Sequence, residues 1–153
     1  MGKRKKLDET IDRLKNFLGE EYEKEKYIRK IVFGIRLTPQ IKWALTKIVE
    51  LNKQNKCKNN LKRLMENIIE DNIDNYVGIE KFDPIKEIIK DFNPCERQTI
   101  EVNFYTMEQA LYIKNNSNIV AINRLINLIL YEYLERVGVL DELDRIGDLY
   151  ETK

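Results

Sequence analysis

The chain has no histidine among its 153 residues, which removes the commonest general base and the commonest metal ligand together. Serine occurs once, as Ser117 in the polar run KNNSN, with no base motif beside it. A phosphate-cradling GxxxxGKS/T loop, GxGxxG and HExxH are all missing. Carboxylate pairs such as Glu20 and Glu21 sit in a charge-dense helical stretch and read as a solvated face. These gaps argue against an enzyme and imply neither a cofactor nor a metal. The two cysteines, Cys57 and Cys95, are far apart and read as free thiols of a reducing compartment rather than as a disulfide. No apolar run approaches the roughly 20 residues of a membrane span, and no signal-peptide core follows the basic start, so the sequence predicts a cytoplasmic protein with no membrane partner. Charge of one sign is lacking too. With 27 Lys and Arg against 26 Asp and Glu, the net charge of +1 leaves any attraction for nucleic acid to local distribution.

What is present is a globular, helix-leaning mixture, 35% charged and 42% hydrophobic. Basic Lys3, Arg4, Lys5 and Lys6 form an arm expected to be mobile, followed by a helix over 8–28 with Leu7, Ile11, Leu14, Phe17, Leu18 and Tyr22 on one face. In RKIVFGIRLTPQIKWAL, Phe33, Ile35 and Leu37 alternate with Val32, Gly34 and Arg36, the pattern of a half-buried strand. Thr38-Pro39 then reads as an N-cap with first-turn proline, opening a helix with Ile41, Ala44, Leu45, Ile48 and Val49. After NKQNKCKNN a second helix carries Leu61, Leu64, Met65, Ile68, Ile69, Ile73 and Tyr76.

A connector follows, with a short helix between Asp83-Pro84 and Pro94. The pattern then returns. TIEVNFYT, residues 99–106, alternates as a strand; Thr106 and Gln109 match a capping box, and KNNSN breaks the helix that follows. A long helix from about Ile119 to Val137 stops at Gly138, ahead of an acidic tail. The expected organisation is an arm and helix over 1–28, a strand–helix–helix unit over 29–76 and a linker over 77–97. A second unit over 98–138 and the tail over 139–153 complete it. The two units begin 68 residues apart (99 − 31), and the partner expected for the first strand is the second.

Strand, cap, helix, polar turn and amphipathic helix, written twice, resembles the ribbon-helix-helix family of DNA-binding proteins. NIVAINRLINLILYEYL is similar to the family's closing helix, with Leu125-Ile126, Ile129-Leu130 and Tyr133-Leu134 as its core-facing pairs. FGIRLTP is similar to the family's alternating strand and helix cap. The resemblance implies a mainly α fold in which two strands pair antiparallel into a ribbon that enters the DNA major groove. Its outward side chains would read bases, and the N-terminus of each second helix would hold a phosphate. It further implies a pseudo-dimer within one chain, with additional copies free to assemble on DNA. The chain departs from the family in lacking a glycine between the paired helices and in placing Asn59-Asn60 or Asn118 at the second cap.

On this reading Val32, Gly34, Arg36, Glu101, Asn103 and Tyr105 face bases, and Arg36 is the sharpest candidate because a guanidinium matches guanine O6 and N7. Its plainer reading is a charge that protects a strand edge. Gly34 permits close backbone approach or marks a bulge. Phosphate contacts are expected from Lys3, Arg4, Lys5, Lys6, Lys30, Lys58, Asn59, Asn60, Lys62 and Asn118. The stretch from Lys53 to Arg63, with Lys56, Lys58 and Lys62, holds five cations and no acid. Trp43 reads as core or interface. The function expected is sequence-specific binding of duplex DNA, as a repressor or a plasmid maintenance or transfer factor. Two alternatives stand beside it: a protein-interaction module on a degenerate version of the fold, and an all-α assembly protein whose apolar runs only mimic strands.

Overall fold

The computed structural model describes residues 3–54, 61–82, 96–119 and 121–138, and for 3–8, 51–54 and 96 the backbone alone. The predicted 8–28 helix is two helices, α1 (Lys3–Leu18) and α2 (Glu21–Glu25), parted at Gly19, whose φ of +55° few other residues tolerate. Lys3, Arg4, Lys5 and Lys6 therefore form the first turn of α1 and not a separate arm. Phe17 also departs from expectation. Ile11 is buried, but Phe17, about a third of a turn around the helix from it, is 87% exposed.

β1 (Lys30–Leu37) buries Ile35 and Leu37, half-buries Ile31 and Phe33, and turns Val32, Gly34 and Arg36 outward, as the alternation predicts. At Thr38 the chain enters α3 (Pro39–Gln54), the Thr38 carbonyl accepting the Lys42 N–H at 3.1 Å. Thr38 stands at the expected cap position but does not cap with its side chain. Its hydroxyl is buried without a hydrogen-bond partner, and its own N–H donates to Asn127 Oδ1 at 3.2 Å instead. α4 (Leu61–Asn72) presents Leu64, Met65, Ile68 and Ile69 inward and tightens into a 3₁₀ turn, Ile73–Tyr76, that adds Ile73 and Tyr76 to the same stripe.

β2 (Glu96–Asn103) runs antiparallel to β1, in register from Lys30↔Asn103 to Leu37↔Glu96. The pairing overturns the all-α alternative. The strand begins and ends three residues before the predicted 99–106, because Asn103 Oδ1 accepts the Thr106 N–H at 2.8 Å and caps α5 (Phe104–Asn115). Asparagine caps as well as Ser or Thr. Two further bonds bend the chain at the same place: Phe104 N–H donates to the Arg29 carbonyl at 3.0 Å and Tyr105 N–H to that of Lys26 at 2.9 Å. Thr106–Gln109 thus lies inside the helix, not at its start.

α5 ends in KNNSN as expected, where Ser117 Oγ donates to the Ile113 carbonyl at 2.6 Å. α6 (Ile122–Arg136) starts after Ala121 rather than near Ile119, and stops ahead of Gly138 at φ +79°. Ile35, Leu37, Ile100 and Val102 of the ribbon join apolar residues of α3, α4, α5 and α6 in one core, which Ile11 of α1 also enters. No helix among the described residues is long and apolar enough to cross a membrane. The predicted 83–95 helix, Cys57, Cys95, Lys56, Lys58, Asn59, Asn60 and the 139–153 tail lie outside the described residues.

Candidate nucleic-acid interface

A two-stranded ribbon has two outer edges whose backbone groups need partners. Side chains of the two long second helices supply them. On β1, the Arg36 N–H donates to Asn123 Oδ1 at 2.7 Å and the Thr38 N–H to Asn127 Oδ1, while Asn123 and Asn127 amides donate to the Arg36 carbonyl at 3.0 and 2.9 Å. On β2, the Glu101 N–H donates to Glu66 Oε2 at 2.6 Å and the Asn103 N–H to Glu70 Oε2 at 2.8 Å. The clamped pairs stand at one constant offset (101 − 36 = 103 − 38 = 65), and each clamping pair is spaced i, i+4 on its helix. Each edge is thus held by a helix at two positions, while one face of the ribbon rests on the core and the other is open.

Across that open face the outward pairs are Val32↔Glu101, Gly34↔Thr99 and Arg36↔Arg97. Val32 is 55% exposed. Arg36 and Arg97 are exposed, oppose each other directly and form no ion pair among the described residues. Arg97 leans over Gly34: a Cβ placed there would stand 2.7 Å from its Nε and 3.0 Å from Nη2. The glycine makes room for a guanidinium, with no bulge in the ladder. Glu101 faces outward as expected, yet Lys62 neutralises it at 3.4 Å and also lies 3.7 Å from Glu66. Lys30 is exposed at the end of β1.

Other expected readers are placed elsewhere. Asn103 is committed as the cap of α5, and its amide reaches the Tyr27 carbonyl at 3.4 Å. Tyr105 stands in the first turn of α5, its hydroxyl donating to Asp74 Oδ1 at 2.5 Å and its ring lying 4.9 Å from that of Tyr27. The hydrogen bond to Asp74, and then burial, push its phenol above the ordinary value. Asn118 does not cap α6. It accepts the Phe82 N–H at 2.8 Å and donates to the Phe82 carbonyl at 3.2 Å, while Ala121 precedes the helix with no side-chain cap bond. Trp43 is half-buried under the Lys47 ammonium at 5.1 Å.

Arg97 and Thr99 complete the open face: Arg97 fell before a strand expected to begin at Thr99, and Thr99, inside that strand, was not named among its outward residues. Glu96-Arg97-Gln98 offers no apolar alternation to extend it. The clamps were missed as well. Their only trace in sequence is a pair of polar residues at i, i+4, Glu66 and Glu70 or Asn123 and Asn127, in each amphipathic helix. Compared with family models, curated proteins and solved structures, the chain matches none.

Proposed function

We propose that this chain is a single-chain ribbon-helix-helix protein that binds duplex DNA by laying the open face of its ribbon in the major groove. The observation that carries the reading is the outward Arg36↔Arg97 pair, two arginines at directly opposed strand positions without a carboxylate partner among the described residues. Like charges directly opposite on a ribbon destabilise it, and a surface that keeps them suits an anionic partner. A two-stranded ribbon fits the major groove, and arginine is the side chain that matches guanine there. The constant offset of the helix clamps supports two equivalent strand–helix–helix units, each closing the other's strand edge. Lys30 and the basic turn at Lys3, Arg4, Lys5 and Lys6 would add phosphate contacts, with no chemistry performed on the DNA. The role proposed for such binding is that of a transcriptional regulator or a plasmid maintenance or transfer factor.

The test is a titration of the chain against sequences selected from random duplex DNA, at several salt concentrations. Binding should weaken linearly in a log–log plot against salt. Arg36→Ala should cost about 1–3 kcal/mol on the selected sequence, with preference relaxed at one base pair. Absence of duplex binding at low salt would favour the interaction-module reading, in which changes on the open face disturb no DNA contact.

A further inference from the structure

The open face is not the same at its two ends. The middle of the three outward pairs is Gly34↔Thr99, whose members stand at the same 65-residue offset as the clamped residues. To one side lie Arg36 and Arg97; to the other, Val32 and Glu101, the latter neutralised by Lys62. An exchange of the two strands about that centre would put Arg97 where Val32 is and Glu101 where Arg36 is. Neither replacement is conservative. Arg97 adds to the difference by leaning over Gly34, so its guanidinium covers the centre of the face from the Arg36 side. The flanks differ in the same sense. The Arg36 end meets the uncapped start of α6 through Asn123, whereas the other end meets Lys62 of α4.

We infer that the chain recognises a non-palindromic duplex and binds it in one orientation, with a guanine-bearing half beneath Arg36 and Arg97 and an apolar, weakly charged half beneath Val32 and Glu101. This rests on the proposed DNA-binding reading and specifies its target. The chemistry on the two sides is distinct. Two guanidiniums can each take a guanine O6 and N7, Val32 can meet a thymine methyl, and Glu101 can at most accept from a cytosine N4. A single chain also carries the asymmetry permanently, since both strands belong to it.

The deciding experiment replaces each guanine of the selected duplex, one at a time, with 7-deazaguanine, which removes the N7 acceptor and leaves base pairing intact. Affinity of the wild-type chain should drop, by no more than the roughly 5- to 150-fold of a whole bidentate contact because O6 remains, at one or two guanines confined to one half of the site. Equal losses in both halves, or a palindromic selected sequence, would overturn the inference while leaving DNA binding intact. Failure to bind any duplex at low salt would overturn the inference and the DNA-binding reading together.

A second arm makes the face symmetric with the pair Arg97→Val and Glu101→Arg. That variant should then select a palindrome with guanine in both halves, and continued selection of a non-palindrome would count against the inference. Should the variant not fold, the 7-deazaguanine scan of the wild-type chain decides alone.

Discussion

Two tyrosines show how single residues bind the elements together and set a pH limit on the fold. Tyr22 of α2 is 3% exposed and donates to Glu108 Oε2 of α5 at 2.5 Å, with Lys15 of α1 bridging the same carboxylate at 3.1 Å. Tyr76, after α4, donates to Glu132 Oε1 of α6 at 2.8 Å. Burial first, and the carboxylate partner second, hold both phenols well above their ordinary value. Glu23 works in the same direction at Tyr22, and Arg136 opposes it at Tyr76. In the unfolded chain both ionise near about 10, so ionisation favours unfolding. Their contribution is complete below that pH and is lost as pH rises toward the higher folded values. Thermal melts between pH 8 and 11 should show stability falling above about pH 10. The double variant Tyr22→Phe, Tyr76→Phe should fall less steeply there, while losing about 1 kcal/mol per hydrogen bond at neutral pH. An unchanged alkaline slope would mean that these phenols do not set the limit. Such pairings cross 86 and 56 residues of sequence, and nothing local in the chain announces them.

Elements were legible wherever one periodicity ran unopposed. The alternation of Ile31 to Leu37 fixed β1 and its outward Val32, Gly34 and Arg36, and the stripes of α4 and α6 gave their buried faces. Boundaries were lost where two capping options competed. Asn103 outbid Thr106 because tertiary bonds from Arg29 and Lys26 already bent the chain there, and Gly19 split a helix whose charge pattern ran straight through it. The clamps were illegible for another reason. Asn123 and Asn127 read as polar interruptions until a strand edge 87 and 89 residues away is laid against them. Asn127 is wholly buried, so Asn127→Ala would strand the Thr38 N–H and deprive the Arg36 carbonyl of a donor. That change should cost about 1–3 kcal/mol, read by chemical denaturation. Glu66→Gln retains an acceptor for the Glu101 N–H and should cost less than Glu66→Ala. A cost within experimental error for Asn127→Ala would show that the helix clamp does not hold the edge.

At the scale of the whole molecule, the pairing of β1 with β2 inside one chain replaces an encounter between two molecules by the closure of a loop. Closure entropy grows only slowly with loop length, whereas association between chains depends on concentration. The clamped edge positions act in the same direction. With the N–H groups at Arg36, Thr38, Glu101 and Asn103 already occupied, a second copy finds less edge to extend. The chain should therefore unfold cooperatively as a monomer, with one melting temperature over a hundredfold range of protein concentration. A melting temperature that climbs with concentration would mean that folded chains exchange strands or require a partner. Persistence of the monomer would also separate folding from the proposed DNA binding. Changes on the open face, such as Arg36→Ala, could then be read as losses of affinity without a loss of assembly, since Arg36 joins the fold through its backbone groups and leaves its side chain outside.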